Sequence, residues 1–239
     1  MAHRTAPPFA STARALCAIA ATLACAALQP AQAQVPPSAA DIAAYQGVHA
    51  AAAQGDSAAL QRLLASAGAA QLNARDAHGR TALHVATFAR QREAIRVLAK
   101  AGAGLDLLEN DRYDAVTIAA VADDEETLAL LLSLGASAKQ VTSRYDGTAL
   151  IAAAHLGHDG VVRQLIAAGA PLDHVNNLHW TALIESIVLG NGGPRHQATL
   201  KALVQAGASK ALTDRQGNTP LQLARQRGYD AMVQMLVSP

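Results

Sequence analysis

Cysteine is absent from the chain beyond residue 33, because Cys17 and Cys25 both precede that point. If the leading segment is removed, the remaining protein has no disulfide, no thiolate nucleophile and no cysteine metal ligand. Its stability must then come from the packing of apolar side chains alone.

Aromatic residues are also scarce, at 3% of the chain, although 51% of its residues are hydrophobic. Most of the hydrophobic residues are alanine, leucine, isoleucine and valine, which suit closely stacked helices. A single globule of 239 residues would normally use larger core side chains.

The chain also has no large excess of positive or negative charge. Segment 1–33 carries Arg4 and Arg14 and no acidic residue, so the rest of the chain carries 17 basic and 18 acidic side chains. That balance argues against binding to nucleic acid or to an anionic membrane surface.

Catalytic motifs are missing as well. The sequence contains no G-x-S-x-G elbow, no Gly-rich phosphate loop, no H-E-x-x-H pair and no C-x-x-C pair. We therefore expect a protein that is not an enzyme and uses no cofactor.

Residues 1–33 have the features of a secretory signal. Arg4 and Arg14 give a positive start, 15–28 is an uncharged apolar run, and Ala31-Gln32-Ala33 is an A-x-A cleavage site. The apolar run is too short for a transmembrane helix. We expect cleavage before Gln34 and no membrane insertion afterwards. The alternative is a degenerate lipoprotein box, residues 22–25, with lipid attached to Cys25.

A Pro-containing stretch without apolar periodicity follows, and we predict a mobile tether over residues 34–44. From Tyr45 onward the sequence repeats. Gly-Ala pairs recur at 68–69, 102–103, 135–136, 169–170 and 207–208, with spacings of 34, 33, 34 and 38 residues. A period in this range indicates stacked helical units.

Each period predicts two short helices. In 143–176 the apolar residues Leu150, Ala153 and Ala154 share one helical face, and a second face begins at Val161 after a break at Gly157. Helices of about three turns are not stable alone, so each unit must pack against its neighbours.

The repeats resemble the ankyrin family, whose pattern is D-x-x-G-x-T-P-L-H-x-A followed by G-H and a second helix ending in L-L-x-x-G-A. Residues 76–86 read DAHGRTALHVA and residues 214–221 read DRQGNTPL. The resemblance covers residues 45–239 and implies an all-α solenoid of six helix-turn-helix units with short β-turn fingers. The approximate units are 45–75, 76–108, 109–142, 143–175, 176–213 and 214–239.

Several positions depart from the family pattern. Arg112, Asp146 and His179 replace the turn glycine, and Arg112 is the least suited of the three to a left-handed backbone. We expect the repeat to be one residue short before Thr148 and residues 191–197 to form an inserted flexible loop. In the family, the threonine and histidine of the motif hydrogen-bond within and between turns, which is what we expect at His84.

The few aromatic residues indicate where the protein binds. On the family pattern, variable positions that line the groove and the finger tips are occupied by Phe88, Tyr113, Tyr145, His155 and Trp180. Exposed Trp and Tyr side chains on a rigid surface are typical of interface hot spots. We therefore predict a partner-binding site at these five residues, with Tyr113, Tyr145 and Trp180 in one row and little packed into the core. The alternative is that each ring covers the edge of a neighbouring turn.

Histidines and carboxylates support a rival hypothesis, a metal or small-ligand carrier or a weak metal-dependent hydrolase. Its candidate residues are His155, His158, Asp173, His174 and His179. The four acids at 123–126 suggest a cation site, but the dipole at the start of a helix explains them better. Glu185 is unusual between Ile184 and Ile187, and its partner is not evident from the sequence.

Together these patterns predict a non-enzymatic binding scaffold in the periplasm of a Gram-negative-type cell. We expect a monomer that recognises another exported protein through a preformed groove. Immunity to a co-exported enzyme, or its escort, is one form this could take.

Overall fold

The computed structural model describes residues 34–67 and 69–238. The predicted signal segment 1–33 and its cleavage and lipidation sites lie outside the described residues. The described part is built from helical pairs, each preceded by a short finger-like turn. The prediction of an all-α repeat array is confirmed.

The first helices of the six pairs pack against one another in an inner layer. They are α2 (Gly47–Gln54), α5 (Ala82–Phe88), α7 (Ala115–Val121), α9 (Ala149–Leu156), α11 (Ala182–Val188) and α13 (Pro220–Gln226). The second helices form an outer layer. They are α3 (Ser57–Ala67), α6 (Arg92–Lys100), α8 (Glu125–Ser133), α10 (Asp159–Ala167), α12 (Pro194–Gln205) and α14 (Asp230–Val237).

Two further short helices lie near the N-terminus, α1 (Ala39–Ala44) and α4 (Ala69–Leu72). A two-stranded antiparallel ladder joins β1 (Val141–Thr142) to β2 (Gly147–Thr148). The longest described helix has 12 residues, and none of the described helices has the length and apolar character needed to cross a bilayer.

The recurring threonine explains where most of the inner helices begin. The hydroxyls of Thr148 and Thr181 each accept a hydrogen bond from the backbone N–H three residues later, at 3.3 Å. In the third helical pair the carboxylate of Asp114 takes the same role and accepts from the Thr117 N–H at 2.7 Å. These N-caps satisfy backbone donors that have no partner inside the helix. The threonine landmark is therefore a helix-start signal.

Alanine, leucine and valine fill the space between the layers. Leu150, Val161, Val162 and Leu165 of the fourth pair have no exposed surface. Gly157 ends α9 in the left-handed conformation with φ of 70°, a geometry that glycine adopts without a Cβ clash. The predicted break between the two helices is confirmed.

The three substituted turn positions keep the left-handed backbone. Arg112, Asp146 and His179 have φ of 66°, 52° and 68°, close to the 75° of Gly79. Nη1 of Arg112 lies 2.9 Å from Oδ1 of Asp146, so two of these strained residues form an ion pair with each other. The turn around Arg112 therefore keeps the left-handed residue that Gly79 supplies in the first finger.

The register predicted before Thr148 was wrong. In the other fingers the backbone N–H of the first residue donates to the carbonyl of the fifth. The finger before Thr148 instead pairs Thr142 with Gly147, so it contains one residue more, not one fewer. The extra residue is accommodated because Ser143 takes a left-handed φ of 62° and the two flanking segments form the β1–β2 ladder.

The predicted flexible insertion is also corrected. Only residues 191–193 form a loop, because Pro194 begins α12, where a proline at the first helical position loses no hydrogen bond. Arg195 then reaches back across the array. Its guanidinium lies 2.8 Å from the Asp123 carboxylate and 3.4 Å from that of Asp159.

The stretch 34–44 is not a free tether. Ser38 and Asp41 form a reciprocal capping box that starts α1. Nη2 of Arg80 donates to the Val35 carbonyl at 2.9 Å, and Nη1 lies 3.6 Å from the Asp41 carboxylate. The segment therefore docks on the first finger through a side chain that is only 2% exposed.

Arg80 should be the residue that holds this segment in place. We expect Arg80→Met to lower the free energy of unfolding by about 2 kcal/mol, because it removes the hydrogen bonds that the buried guanidinium donates. Hydrogen exchange should show loss of protection in 39–44. Asp41→Asn is the matched control, and it should loosen α1 with a smaller effect on global stability. Unchanged protection of α1 in Arg80→Met would contradict this assignment.

Candidate partner-binding face

Five fingers project from the inner helical layer, at residues 76–80, 109–113, 142–147, 176–180 and 214–218. In most of them the first side chain organises the turn. Oδ1 of Asp76 accepts from the N–H groups of His78 and Arg80, both at 2.8 Å. Oδ1 of Asn176 does the same for Leu178 and Trp180, at 3.0 and 2.9 Å. The recurring polar residue at this position is thus a turn-forming residue.

Backbone hydrogen bonds join consecutive fingers. The N–H of Asn110 donates to the His78 carbonyl at 3.0 Å, and that of Ser143 to the Arg112 carbonyl at 2.8 Å. The Asn177 N–H continues the series to the Tyr145 carbonyl at 2.9 Å. The first four fingers are therefore held at a fixed spacing, as a preformed binding surface requires.

The residue before each helix cap occupies one common register. It is Arg80, Tyr113, Gly147, Trp180 and Asn218 in the five fingers. Tyr113 and Trp180 therefore share a register two repeats apart. Tyr145 lies at the tip of the finger between them, displaced from that register by the additional residue.

Tyr113 and Tyr145 are half-buried in neighbouring fingers. Burial raises the pKa of the Tyr113 phenol. The charge of Arg144 lowers this pKa, whereas Asp111, Glu109 and Tyr145 raise it. An aromatic side chain with part of its surface still open can bury more on binding.

Trp180 differs from the expectation that its ring contributes little to the core. Its side chain is half-buried and packs against the hydrophobic core. The finger is short and its fifth residue lies directly before Thr181, the cap of α11, so a large ring there reaches the inner helices. Trp180 is therefore a packing residue that still exposes part of its surface.

Phe88 is half-buried at the end of α5. The guanidinium carbon of Arg80 lies 6.0 Å from the centre of its ring, within cation–π range. Arg80 was not among the predicted site residues. The signal that could have identified it is a basic residue in the register of Tyr113 and Trp180, four positions after Asp76.

His155, at the end of α9, faces a buried carboxylate. Its Nδ1 lies 3.7 Å from Oε2 of Glu185, and their side chains are 27% and 6% exposed. Nδ2 of Asn176 donates to Oε1 of Glu185 at 2.8 Å. Burial raises the pKa of Glu185 to about 7, against a lowering effect of the Asn176 hydrogen bond. Burial also lowers the pKa of His155, with the nearby His196 and His158 acting in the same direction.

Two other histidines of the rival hypothesis, His158 and His174, contact backbone carbonyls that lie 38 and 28 residues earlier in the chain. Nδ1 of His158 lies 2.9 Å from the Ala120 carbonyl, and Nε2 of His174 lies 2.6 Å from the Asp146 carbonyl. His196, not predicted, contacts the His155 carbonyl at 2.9 Å. Within the part of the chain that the structure describes, no three His, Asp or Glu side chains meet as a metal-ligand set.

The acidic run at 123–126 contributes both helix capping and bridges between repeats. Asp124 caps α8 by accepting from the Thr127 N–H at 3.1 Å, and it pairs with Arg92 at 3.0 Å. Asp123 pairs with Arg195, as described above. This run therefore lies at the turns between helices, away from the fingers.

Known proteins share this architecture and its sequence pattern. The family model of ankyrin repeats in three copies matches residues 48–144 and 116–214, and a single ankyrin repeat matches 216–238. The ankyrin repeat protein YahD of Escherichia coli K12 is 34% identical over 189 residues, covering 79% of this chain and 92% of YahD.

Solved structures agree. An ankyrin repeat domain from Acinetobacter baumannii AYE superposes with a TM-score of 0.74 at 43% identity, over 80% of this chain and 95% of that domain. The ankyrin repeat domain of Bcl-3 gives a TM-score of 0.66 at 24% identity, over 82% of this chain and 99% of that one, which supports the fold alone. Because the family matches together span most of the chain, the protein is a member of the ankyrin repeat family.

Proposed function

We propose that this protein is a non-enzymatic scaffold that binds another exported protein in the periplasm. Ankyrin repeats mediate protein–protein interactions, and the observation that carries the proposal here is the hydrogen-bonded row of fingers bearing Tyr113, Tyr145 and Trp180. A surface of this kind is ordered before the partner arrives, so binding costs less conformational entropy.

The periplasmic location rests on the sequence of residues 1–33. An exported scaffold without cysteine after residue 33 suits an oxidising compartment, since it has no thiol to form wrong disulfides. Intact-mass measurement of the secreted protein tests this part. A chain beginning at Gln34 supports it, and a lipid-modified Cys25 would place the protein on a membrane face instead.

The binding face is tested with a partner isolated from the periplasm of the bacterium that makes this chain. The purified partner is then titrated by calorimetry against wild type, Tyr113→Ala and Tyr145→Ala. We expect at least one substitution to weaken affinity by about thirtyfold, which is the loss for a hot spot of 2 kcal/mol. Both variants should melt close to wild type because neither ring, unlike that of Trp180, is among the described side chains that pack against the hydrophobic core.

Two further aromatic variants separate binding from packing. Trp180→Ala should lower both the melting temperature and the affinity, because the ring packs on the core and remains partly exposed. Tyr229→Ala is the control, since that phenol donates to the Gly190 carbonyl at 2.9 Å in the last repeat, away from the fingers. It should lose stability while keeping partner affinity below its melting range. Wild-type affinity in the three finger variants would refute the proposed face.

A further inference from the structure

Glu185 is a buried acid in a place where the fold does not require one. The residue four positions after the helix cap is Val85 in the second repeat, Ile118 in the third and Leu223 in the last. These three are buried at 1%, 1% and 8% exposure, and Glu185 is buried at 5%. An apolar side chain therefore satisfies this position, and a carboxylate costs desolvation free energy.

The surroundings of Glu185 supply little compensation for its charge. Asn176 donates one hydrogen bond to Oε1, while Oε2 faces Nδ1 of His155 at 3.7 Å, longer than a hydrogen bond. Burial lowers the pKa of His155 and so disfavours a charged imidazolium beside the carboxylate. A carboxylate can accept about four hydrogen bonds. The ionised carboxylate thus retains acceptor capacity and an unbalanced charge.

Asn176 is adapted to this carboxylate. The corresponding finger residues Asp76, Glu109 and Asp214 are acids, and an acid at the position of Asn176 would repel Glu185. The amide oxygen of Asn176 still accepts from the Trp180 N–H at 2.9 Å, which leaves its NH₂ group to donate to Glu185 at 2.8 Å. One side chain therefore links the carboxylate to the finger that carries Trp180.

We propose that the Glu185 carboxylate, framed by Asn176 and His155 between the fourth and fifth repeats, binds a basic side chain of the protein partner. This inference rests on the proposed function and names the chemistry of the partner. A guanidinium or ammonium group supplies the missing donors and the opposite charge. His155, with 27% of its side chain exposed, is the neighbour that must move to admit it.

Blocked tripeptides test the site without a known partner. The probes are Gly-Arg-Gly, Gly-Lys-Gly and the uncharged isostere Gly-citrulline-Gly, at pH 8, above the Glu185 pKa of about 7. The side-chain amide signal of Asn176 and the fluorescence of Trp180, the one tryptophan in the chain, report on binding. We expect saturable changes with the arginine or lysine peptide and none with citrulline.

Glu185→Gln is the decisive variant because it keeps the shape and the acceptor for Asn176 while removing the charge. Its affinity for the basic peptides should fall at least tenfold, with a melting temperature equal to or above that of wild type. Glu126→Gln, at a side chain that is 78% exposed on α8, is the matched control and should bind as wild type does. An equal response to citrulline, no saturable response to either basic peptide, or an unaffected Glu185→Gln would overturn the inference.

The isolated partner separates this inference from the proposed function. If Tyr113→Ala weakens partner affinity and Glu185→Gln does not, the scaffold function stands and the basic side-chain site is wrong. If neither variant affects the partner but the peptide results hold, the site exists and the proposed protein-binding face is wrong.

Discussion

Leu150→Ala should lower the free energy of unfolding by about 2–5 kcal/mol, the usual range for a large-to-small change at a fully buried leucine. Leu150 has no exposed surface and lies in α9, which packs against the inner helices of both neighbouring repeats. In a linear array each repeat is supported by its neighbours, so a cavity in the fourth repeat weakens two interfaces. Urea unfolding monitored by circular dichroism measures the loss.

Leu221→Ala is the matched comparison, because Leu221 occupies the same motif position in the last repeat. It is only partly buried, since no described repeat packs beyond α13. Hydrogen exchange should show opening confined to α13 and α14, whereas Leu150→Ala should expose amides in the central repeats. Identical patterns of opening in the two variants would contradict the picture of neighbour-supported repeats.

Acidification from pH 6.5 to about 4 should remove roughly 3 kcal/mol of stability through His84 alone. The Thr81 N–H donates to Nδ1 of His84 at 3.0 Å, and Nε2 lies 2.8 Å from the Leu107 carbonyl. Because Nδ1 is an acceptor, the ring is neutral and carries its proton on Nε2. Burial lowers the pKa of His84 from 6.5 to about 4. The unfolded chain therefore binds more protons in this window, and stability falls as the pH falls.

His84→Gln isolates this contribution. In the last repeat Gln222 stands at the same motif position, and its Oε1 accepts from the Thr219 N–H at 2.8 Å, so glutamine can replace the histidine acceptor without titrating. The unfolding free energy of wild type minus that of His84→Gln should decline by about 3 kcal/mol from pH 7 to 4. Taking this difference cancels the contribution of Glu185 to the pH dependence of stability. The raised pKa of Glu185 gives stability that is lost as the pH rises from 4.5 to about 7. A difference that does not change with pH would refute the role of His84.

Local patterns in the sequence were sufficient for the fold. The threonine caps, the Gly-Ala period and the apolar faces are all encoded within a single repeat, so they predict helical pairs wherever they recur. The hydrogen bonds at His84 confirm the expected role of the family histidine for the same reason, since its first partner is only three residues away.

The errors and omissions arose where distant residues meet. The stretch 34–44 has no apolar period, so its docking depends on Arg80, a residue 39 positions beyond Asp41. The environment of Glu185 combines a finger residue of its own repeat with His155 of the preceding one. Such pairings follow from the stacking of repeats, which a single sequence does not specify residue by residue.

The bridge formed by Arg195 has a mechanical consequence. Stacked repeats can rotate relative to one another at each interface. Arg195 on α12 forms ion pairs with Asp159 one repeat back and with Asp123 two repeats back. Exposed ion pairs contribute only about 0.2–1 kcal/mol, so the bridge adds little to the free energy of unfolding. Ion pairs that span two repeat interfaces nevertheless restrain rotation at both interfaces. The three repeats that carry Tyr113, Tyr145 and Trp180 should therefore bend as one stiff segment, and a partner would meet those rings at a constant separation.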